Sequence, residues 1–216
     1  MLAYRAQPHP EMTDQRVGGV TADGGALAYG QPRQVEFFPA NAQIYAQGDR
    51  SAALYQIEYG VVRLFRLLSD GRRQICAFHV PGEYFGFEAD GEHHLFAEAV
   101  CDSAIRILRK PLPEDGFMLK LVTKELVRAQ EHLLVIGRQT AVERIAAFMV
   151  DLYERMGEDG HVELAMSRTD IADYLGLTIE TVSRVFSKFR SEGYIKLHGT
   201  RGLEIVHLEA LRDICA

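Results

Sequence analysis

Glu180, Ser183 and Arg184 combine residue types and spacing that suit chemistry on a polymer rather than on a small substrate. Offsets of three and four bring side chains together on one face of an α-helix. A carboxylate there accepts a hydrogen bond from cytosine N4 or orients a neighbouring arginine. A hydroxyl touches a base edge or a thymine methyl, and a guanidinium donates two bonds to guanine O6 and N7. Nearby, Thr178, Thr181, Ser187, Lys188 and Arg190 supply groups suited to phosphates. No Ser-His-Asp or Cys-His grouping is visible and nothing marks a catalytic dyad, so the residues do not point to an enzyme.

These side chains need a helix that can enter a DNA groove. Residues 167–190, SRTDIADYLGLTIETVSRVFSKFR, read as two short helices around a tight turn. Ser167 is a good N-cap, with Asp170 three residues on in the position that reaches back. Asp170 to Leu175 forms the first helix. Gly176 ends it where a left-handed backbone is needed. Thr178 caps the second helix, Ile179 to Gly193. Ile171, Ala172, Leu175, Leu177, Val182, Val185, Phe186 and Phe189 form the packing side. Ser167 and Arg168, at the start of the first helix, join the candidate backbone contacts. Residues 195–197 and 203–206 read as paired strands around 198–202. This is a wing from which Lys196 and Arg201 would meet phosphates. Residues 208–214 read as a short tail helix.

The whole chain has 216 residues and a formal charge of -6, which argues against coating nucleic acid non-specifically. Residues 167–202 hold six Lys/Arg against four Asp/Glu and are net +2, a local excess. Hydrophobic residues make up 47% and charged residues 25%, as in a globular protein. Cys76, Cys101 and Cys215 are widely spaced and form no CxxC, which suggests a reducing compartment. Cys76 and Cys101 are the candidate redox thiols, with packed structural roles the preferred reading. No signal peptide and no apolar run of membrane length is visible, so a cytoplasmic protein without a membrane partner is expected.

Reading a two-fold DNA site calls for two copies. From about 114 to 137, Leu119, Val122, Leu126, Ala129, Leu133 and Ile136 recur at spacings 3, 4, 3, 4, 3. That is a heptad seam, suited to a parallel homodimer or to packing on the protomer's own barrel. Residues 141–156 form a second amphipathic helix with Ile145, Phe148, Met149 and Leu152 on its apolar side. Earlier, from about 32 to 108, short strand-like segments at 35–38, 43–45, 54–58, 61–68, 73–79 and 104–108 alternate with turn signals. They indicate an antiparallel barrel or jelly roll, with 69–73 (SDGRR) as a hairpin turn. Residues 81–99 are the least regular part, and a short helical turn near 86–89 is expected at the pocket mouth. His79, His93, His94 and Glu98 are the residues to test for metal. Their spacing does not set three ligands on adjacent strand faces, and no metal site is assigned. Glu83 and Glu98 are expected to cap turns or pair with arginines. Residues 1–30 lack a usable period and read as a flexible arm.

The expected class is α+β. The divisions are an arm over 1–30, a β-roll over 31–112, a dimerisation helix over 113–137 and a DNA-binding domain over 138–216. IYAQGD (44–49), GVVRLFRLLSDGRRQICAFHVPGEYFGFEA (60–89), AEAVCDS (97–103), HLLVIGRQTAVERIAAFMV (132–150) and MSRTDIADYLGLTIETVSR (166–184) resemble the CRP/FNR superfamily of transcription regulators, most of all its FixK branch. The resemblance covers nearly everything from about residue 32 onward. It implies a cyclic-nucleotide-binding-type β-roll, a long dimerisation helix and a winged helix-turn-helix.

Further expectations come from that resemblance. Glu180, Ser183 and Arg184 match a recognition motif that implies a palindrome of the form TTGA-N6-TCAA. Glu180 and Arg184 would read its G·C pair and Ser183 the outer T·A region. Where cAMP binders carry an Arg-Ser pair, this chain has His94-Leu95-Phe96-Ala97, which disfavours cAMP. The cysteine-free arm disfavours an iron–sulfur cluster, so no cofactor is expected. FixK-like proteins are typically active without a known small effector. The implied role is a homodimeric activator of microaerobic respiration, nitrogen-fixation or denitrification genes that also touches RNA polymerase. Two alternatives stay open: a ligand- or redox-gated regulator, and a cupin-like metalloenzyme with an interaction domain.

Overall fold

The computed structural model describes residues 34–109, 116–138, 140–157, 160–199 and 201–215. The arm expected over 1–30 and the roll boundary near 111–113 lie outside the described residues.

Eight strands come first: β1 (Gln34–Phe38), β2 (Gln43–Tyr45), β3 (Ala53–Tyr59), β4 (Val62–Leu67), β5 (Arg73–His79), β6 (Tyr84–Phe85), β7 (Phe96–Ala99) and β8 (Ser103–Arg109). They form two antiparallel four-stranded sheets, ordered β1-β8-β3-β6 and β2-β7-β4-β5. Strand alternation turns Ile57 and Ile105 from one sheet and Tyr45, Val62 and Ala97 from the other into one core. The β4–β5 hairpin closes at 68–72 as its sequence requires. Asp70 Oδ1 accepts from the Arg72 amide at 3.0 Å, and Gly71 takes φ 83°.

Strands β6 and β7 were not expected from the sequence, and the helical turn expected near 86–89 is absent. The chain there runs as irregular bends. Gly86 explains this. It holds φ 88°, and a Cβ on it would stand 2.7 Å from the Tyr55 ring. The backbone is pressed against an aromatic side chain in a conformation that no right-handed helix contains.

Helices take over after the roll. α1 (Phe117–Ile136) precedes α2 (Ala141–Met156), which opens with a Thr140/Glu143 capping box and buries Ile145, Phe148, Met149 and Leu152. Among the described residues no helix is long and apolar enough to cross a membrane. β9 (His161–Glu163) leads into α3 (Arg168–Leu175) and α4 (Ile179–Ser191). The Ser167/Asp170 capping box starts α3 at Arg168, two residues before the expected start. Gly176 ends it at φ 64°, the left-handed C-cap that the turn needs. β10 (Ile195–His198) and β11 (Gly202–Ile205) then pair, with β9 on the far side of β11, and α5 (Leu208–Cys215) closes the chain.

One core runs from the outer face of the roll (Val61, Phe65, Phe78) through α2 to α3, α4 and the wing. Phe186 and Phe189, both almost fully buried, each contribute roughly 1.5–3 kcal/mol to holding α4 in place. Ion pairs set the orientation around that core. Arg63 on β4 and Arg73 on β5 both reach Asp170 on α3, at 3.3 and 2.5 Å, and Arg73 also reaches Asp173 at 2.8 Å. Glu83 takes Arg128 from α1 and Arg155 from α2. Its other task is a turn: Oε2 accepts from the Val80 amide at 3.1 Å. Glu98 pairs with Arg63 at 2.7 Å. The expected structural roles of these two glutamates match what is seen.

Candidate nucleic-acid interface

α4 separates its residues cleanly. Val182, Val185, Phe186 and Phe189 are buried, while Glu180, Ser183, Arg184, Ser187, Lys188 and Arg190 are exposed and Thr181 is half-buried. The helix therefore presents the expected base-reading trio together, near its N-terminus and away from the core. Thr178 organises this end. Its Oγ1 accepts from the Thr181 amide at 3.3 Å and lies 3.1 Å from Thr181 Oγ1, which in turn accepts from Arg184 Nη2 at 3.4 Å. A bond to its own backbone amide and the Thr178 side chain hold the Glu180 carboxyl below its usual range, and Arg184 adds to this. The carboxylate is thus an ionised acceptor at the positive end of a helix dipole.

The backbone candidates divide. Lys188 faces Glu192 at 3.9 Å, an exposed and weak pair. Ser187 donates to the Ser183 carbonyl at 2.9 Å and can still accept. Ser167 is spent on its capping box, accepting from the Asp170 amide and donating to Asp170 Oδ2 at 2.8 Å. The Arg168 guanidinium lies 3.6 Å over the Phe186 ring, where burial pushes its pKa down. It acts as packing for the recognition helix as well as a charge beside it. On the wing, Lys196 is held by Glu204 at 2.9 Å and Arg201 is exposed.

The described residues leave the α1 seam uncovered. Leu119, Val122, Leu126, Ala129 and Leu133 are exposed, Leu119 by 71% and Leu133 by 68%. Ile136 is half-buried, and α1 has no fully buried residue. The opposite side of α1 faces its own chain. Arg128 meets Glu83, and His132 stacks on Tyr174 at 4.0 Å, where burial lowers the imidazole pKa.

Aromatic rings pack together in the roll interior. Tyr45 stacks on His93 at 3.6 Å, and Tyr55 on Phe85 at 5.1 Å. His79, His93, His94 and Glu98 do not converge. His79 sits by Glu83, His93 by Glu88, His94 pairs with Asp90 and Glu98 with Arg63. Cys76 corrects an expectation, because it is exposed on β5 rather than packed. Partial desolvation still pushes its thiol pKa up, with Arg66 opposing, so the reactive thiolate is disfavoured. Cys101 is half-buried, and its carbonyl accepts from Ser103 Oγ at 2.7 Å.

Comparison with known proteins agrees with this geometry. Residues 35–114 match the cyclic nucleotide-binding domain and residues 143–214 the Crp-like helix-turn-helix domain. Nitrogen fixation regulation protein FixK of Rhizobium meliloti (strain 1021) is 53% identical over 186 residues, spanning 85% of this chain and 88% of the relative. The chain belongs to the CRP/FNR superfamily of transcription regulators, in its FixK-like branch. A FixK protein of Azorhizobium caulinodans is 39% identical over 233 residues, with 97% of this chain and 93% of the relative covered. The solved structure of FixK2 from Bradyrhizobium japonicum superposes with a TM-score of 0.80 at 36% identity, covering 86% of this chain and 98% of that one. This FixK-like chain is therefore a DNA-binding transcription regulator and not an enzyme.

Sequence reasoning placed Asp170 in the helix cap and expected Glu83 to pair with arginines, but it missed which arginines hold these acids. Arg63, Arg73 and Asp170 come from three separate elements, and Arg128 on α1 and Arg155 on α2 meet Glu83 in the turn before β6. A charged residue among apolar strand positions, as at Arg63, is a local signal that could have found that arginine.

Proposed function

We propose that the chain acts as a homodimer on a TTGA-N6-TCAA-like palindrome, mainly as an activator of microaerobic respiration, nitrogen-fixation or denitrification genes. The observation that carries this is the joint exposure of Glu180, Ser183 and Arg184 on the N-terminal half of α4. Arg184 and Glu180 read the G·C pair and Ser183 the outer T·A region. Thr178, Thr181, Ser187, Lys188, Arg190, Lys196 and Arg201 grip phosphates, with Ser167 and Arg168 at the edge of the interface.

The uncovered apolar stripe on α1 supports pairing with a second copy, since helices with such seams bury them against a partner. The relatives named as nitrogen fixation regulators support the choice of target genes. The stacked rings inside the roll support activity without cAMP. Cys76, Cys101 and Cys215 lie far apart in sequence, which supports activity without an iron–sulfur cluster. RNA polymerase is the expected further partner.

Footprinting and gel shift on the palindromic duplex test the reading. Wild type should protect both half-sites without added ligand. Arg184→Ala should lose roughly 1–3 kcal/mol per half-site in specific binding. Equal binding to scrambled DNA would refute the assignment.

A further inference from the structure

The wing carries a cluster that the DNA-reading role does not use. His161, His198 and Glu204 come from β9, β10 and β11, and their ligating atoms all lie within 4.8 Å of one another. The register makes this a property of the sheet. Glu204 stands opposite His161 across one pairing and opposite Lys196 across the other. His198 lies two residues beyond Lys196 on the same strand, hence on the same face. Both histidines are exposed and Glu204 is half-buried.

Gly202 lets its strand approach His198 closely. It pairs with His198 on one side and Glu163 on the other. A Cβ at Gly202 would stand 2.7 Å from the His198 carbonyl oxygen and 2.9 Å from its Cβ. An open hollow of about 680 Å³ lies beside His161, Glu163, His198 and Arg201.

We propose that this face of the wing is a site for a divalent transition metal, held by His161, His198 and Glu204. Two imidazoles and one carboxylate are a borderline-soft donor set that suits zinc, cobalt or nickel better than magnesium or calcium. A fourth position stays open to water or to a phosphate oxygen. At present Glu204 divides itself between Lys196 at 2.9 Å and His198 at 2.8 Å. A bound ion replaces the His198 contact and draws the carboxylate away from Lys196. It adds positive charge to the wing and ties three strands at one point. The metal therefore strengthens the grip on DNA phosphates. This consequence rests on the proposed wing contacts of Lys196 and Arg201, whereas the metal site does not.

The test uses the full chain, stripped of metal with a chelator and titrated with cobalt. Visible d–d absorption should saturate at one ion per protomer and be displaced by zinc. His161→Ala, His198→Ala and Glu204→Gln should each weaken binding by at least the roughly 10–100-fold that losing even a supporting partner costs. His94→Ala, at the separate Glu88/Asp90/His94 group, should bind as wild type does. No stoichiometric band, or a band that survives all three ligand changes in folded protein, overturns the site. A loss with His94→Ala instead moves the ion elsewhere and also overturns it. On the palindromic duplex, zinc should tighten wild type and steepen the salt dependence by about 1–2, but not in His198→Ala. Unchanged DNA binding by fully loaded protein overturns the coupling. Failure of metal-free and loaded protein alike to find the palindrome would instead count against the proposed function, leaving the cobalt result standing.

Discussion

Two carboxylates sit in the first turns of consecutive helices and meet opposite fates. Asp170 on α3 is 5% exposed and gripped by Arg63 and Arg73, while Glu180 on α4 is open to solvent. Both lie near a helix N-terminus, where negative charge is favoured. Asp170 spends Oδ2 on Ser167 and Oδ1 on the two arginines. Glu180 bonds within the first turn of its own helix and stays exposed to an outside donor. The difference separates holding from the proposed reading: α3 is fastened to the roll through its acid, while α4 leaves its own exposed.

The largest break in that comparison is Asp170→Ala. It leaves Arg63, which is only 6% exposed, with a buried charge short of one partner, and it removes the carboxylate half of the capping box. Removing one member of a buried ion pair costs about 3–5 kcal/mol. Chemical denaturation should show that loss. Ser167→Ala removes only the cap and should cost about 1 kcal/mol. Equal losses in the two variants would mean that the link to the roll contributes nothing beyond helix capping.

Acid should act on the second fastening, Glu83. Burial alone would raise its pKa, but His79 and Arg155 outweigh that and bring it down to about 2. His79 Nδ1 stands 3.6 Å from Oε2, an electrostatic contact rather than a hydrogen bond, so the arginines are the firmer partners. Arg128 and Glu125 also face this cluster. A depressed folded-state pKa gives stability that is complete above the unfolded value, near 4.5. It is lost as pH falls towards 2, on the order of 3 kcal/mol in all. Unfolding curves between those limits should show the decline, and Glu83→Gln should flatten it.

The two carboxylates also differ in how far the sequence reveals them. The Glu180, Ser183, Arg184 face follows from helical periodicity, and the S-x-x-D cap at Ser167 from four adjacent letters. Helix boundaries and the α1 stripe are local in the same sense. Arg63 lies 107 residues from Asp170, and Arg73 lies 97 away. No periodicity connects residues at such separations, because the contact depends on how two separately formed surfaces dock. The same limit hid β6 and β7, which are short and take their pairing from Tyr55 and Phe65 on distant strands. It also hid the wing cluster, which exists only once three strands are in register.

Glu180→Ala tests the reading half of the comparison. The side chain is exposed, so stability should stay within about 0.5 kcal/mol of wild type. Specific binding should fall by about 1–3 kcal/mol, with relaxed discrimination at the G·C pair. Competition gel shifts across single-base variants of the half-site would measure this. A fall in stability comparable to that of Asp170→Ala would erase the distinction between the two acids.

Lys188→Ala should give the smallest effect and sharpens the comparison within α4 itself. Lys188 lies one turn beyond Arg184 and is exposed, and its ion pair among the described residues is the loose Glu192 contact. A phosphate contact carries no sequence information, so its loss should weaken matched and scrambled duplexes alike. Each neutralised phosphate releases counterions, and the slope of log K against log salt should shrink by about 1 per protomer. Titration at several salt concentrations separates this from a base contact, whose loss changes discrimination and leaves the slope in place. If Lys188→Ala instead altered base preference at constant slope, the reading face of α4 would extend a full turn further along the helix than Glu180, Ser183 and Arg184.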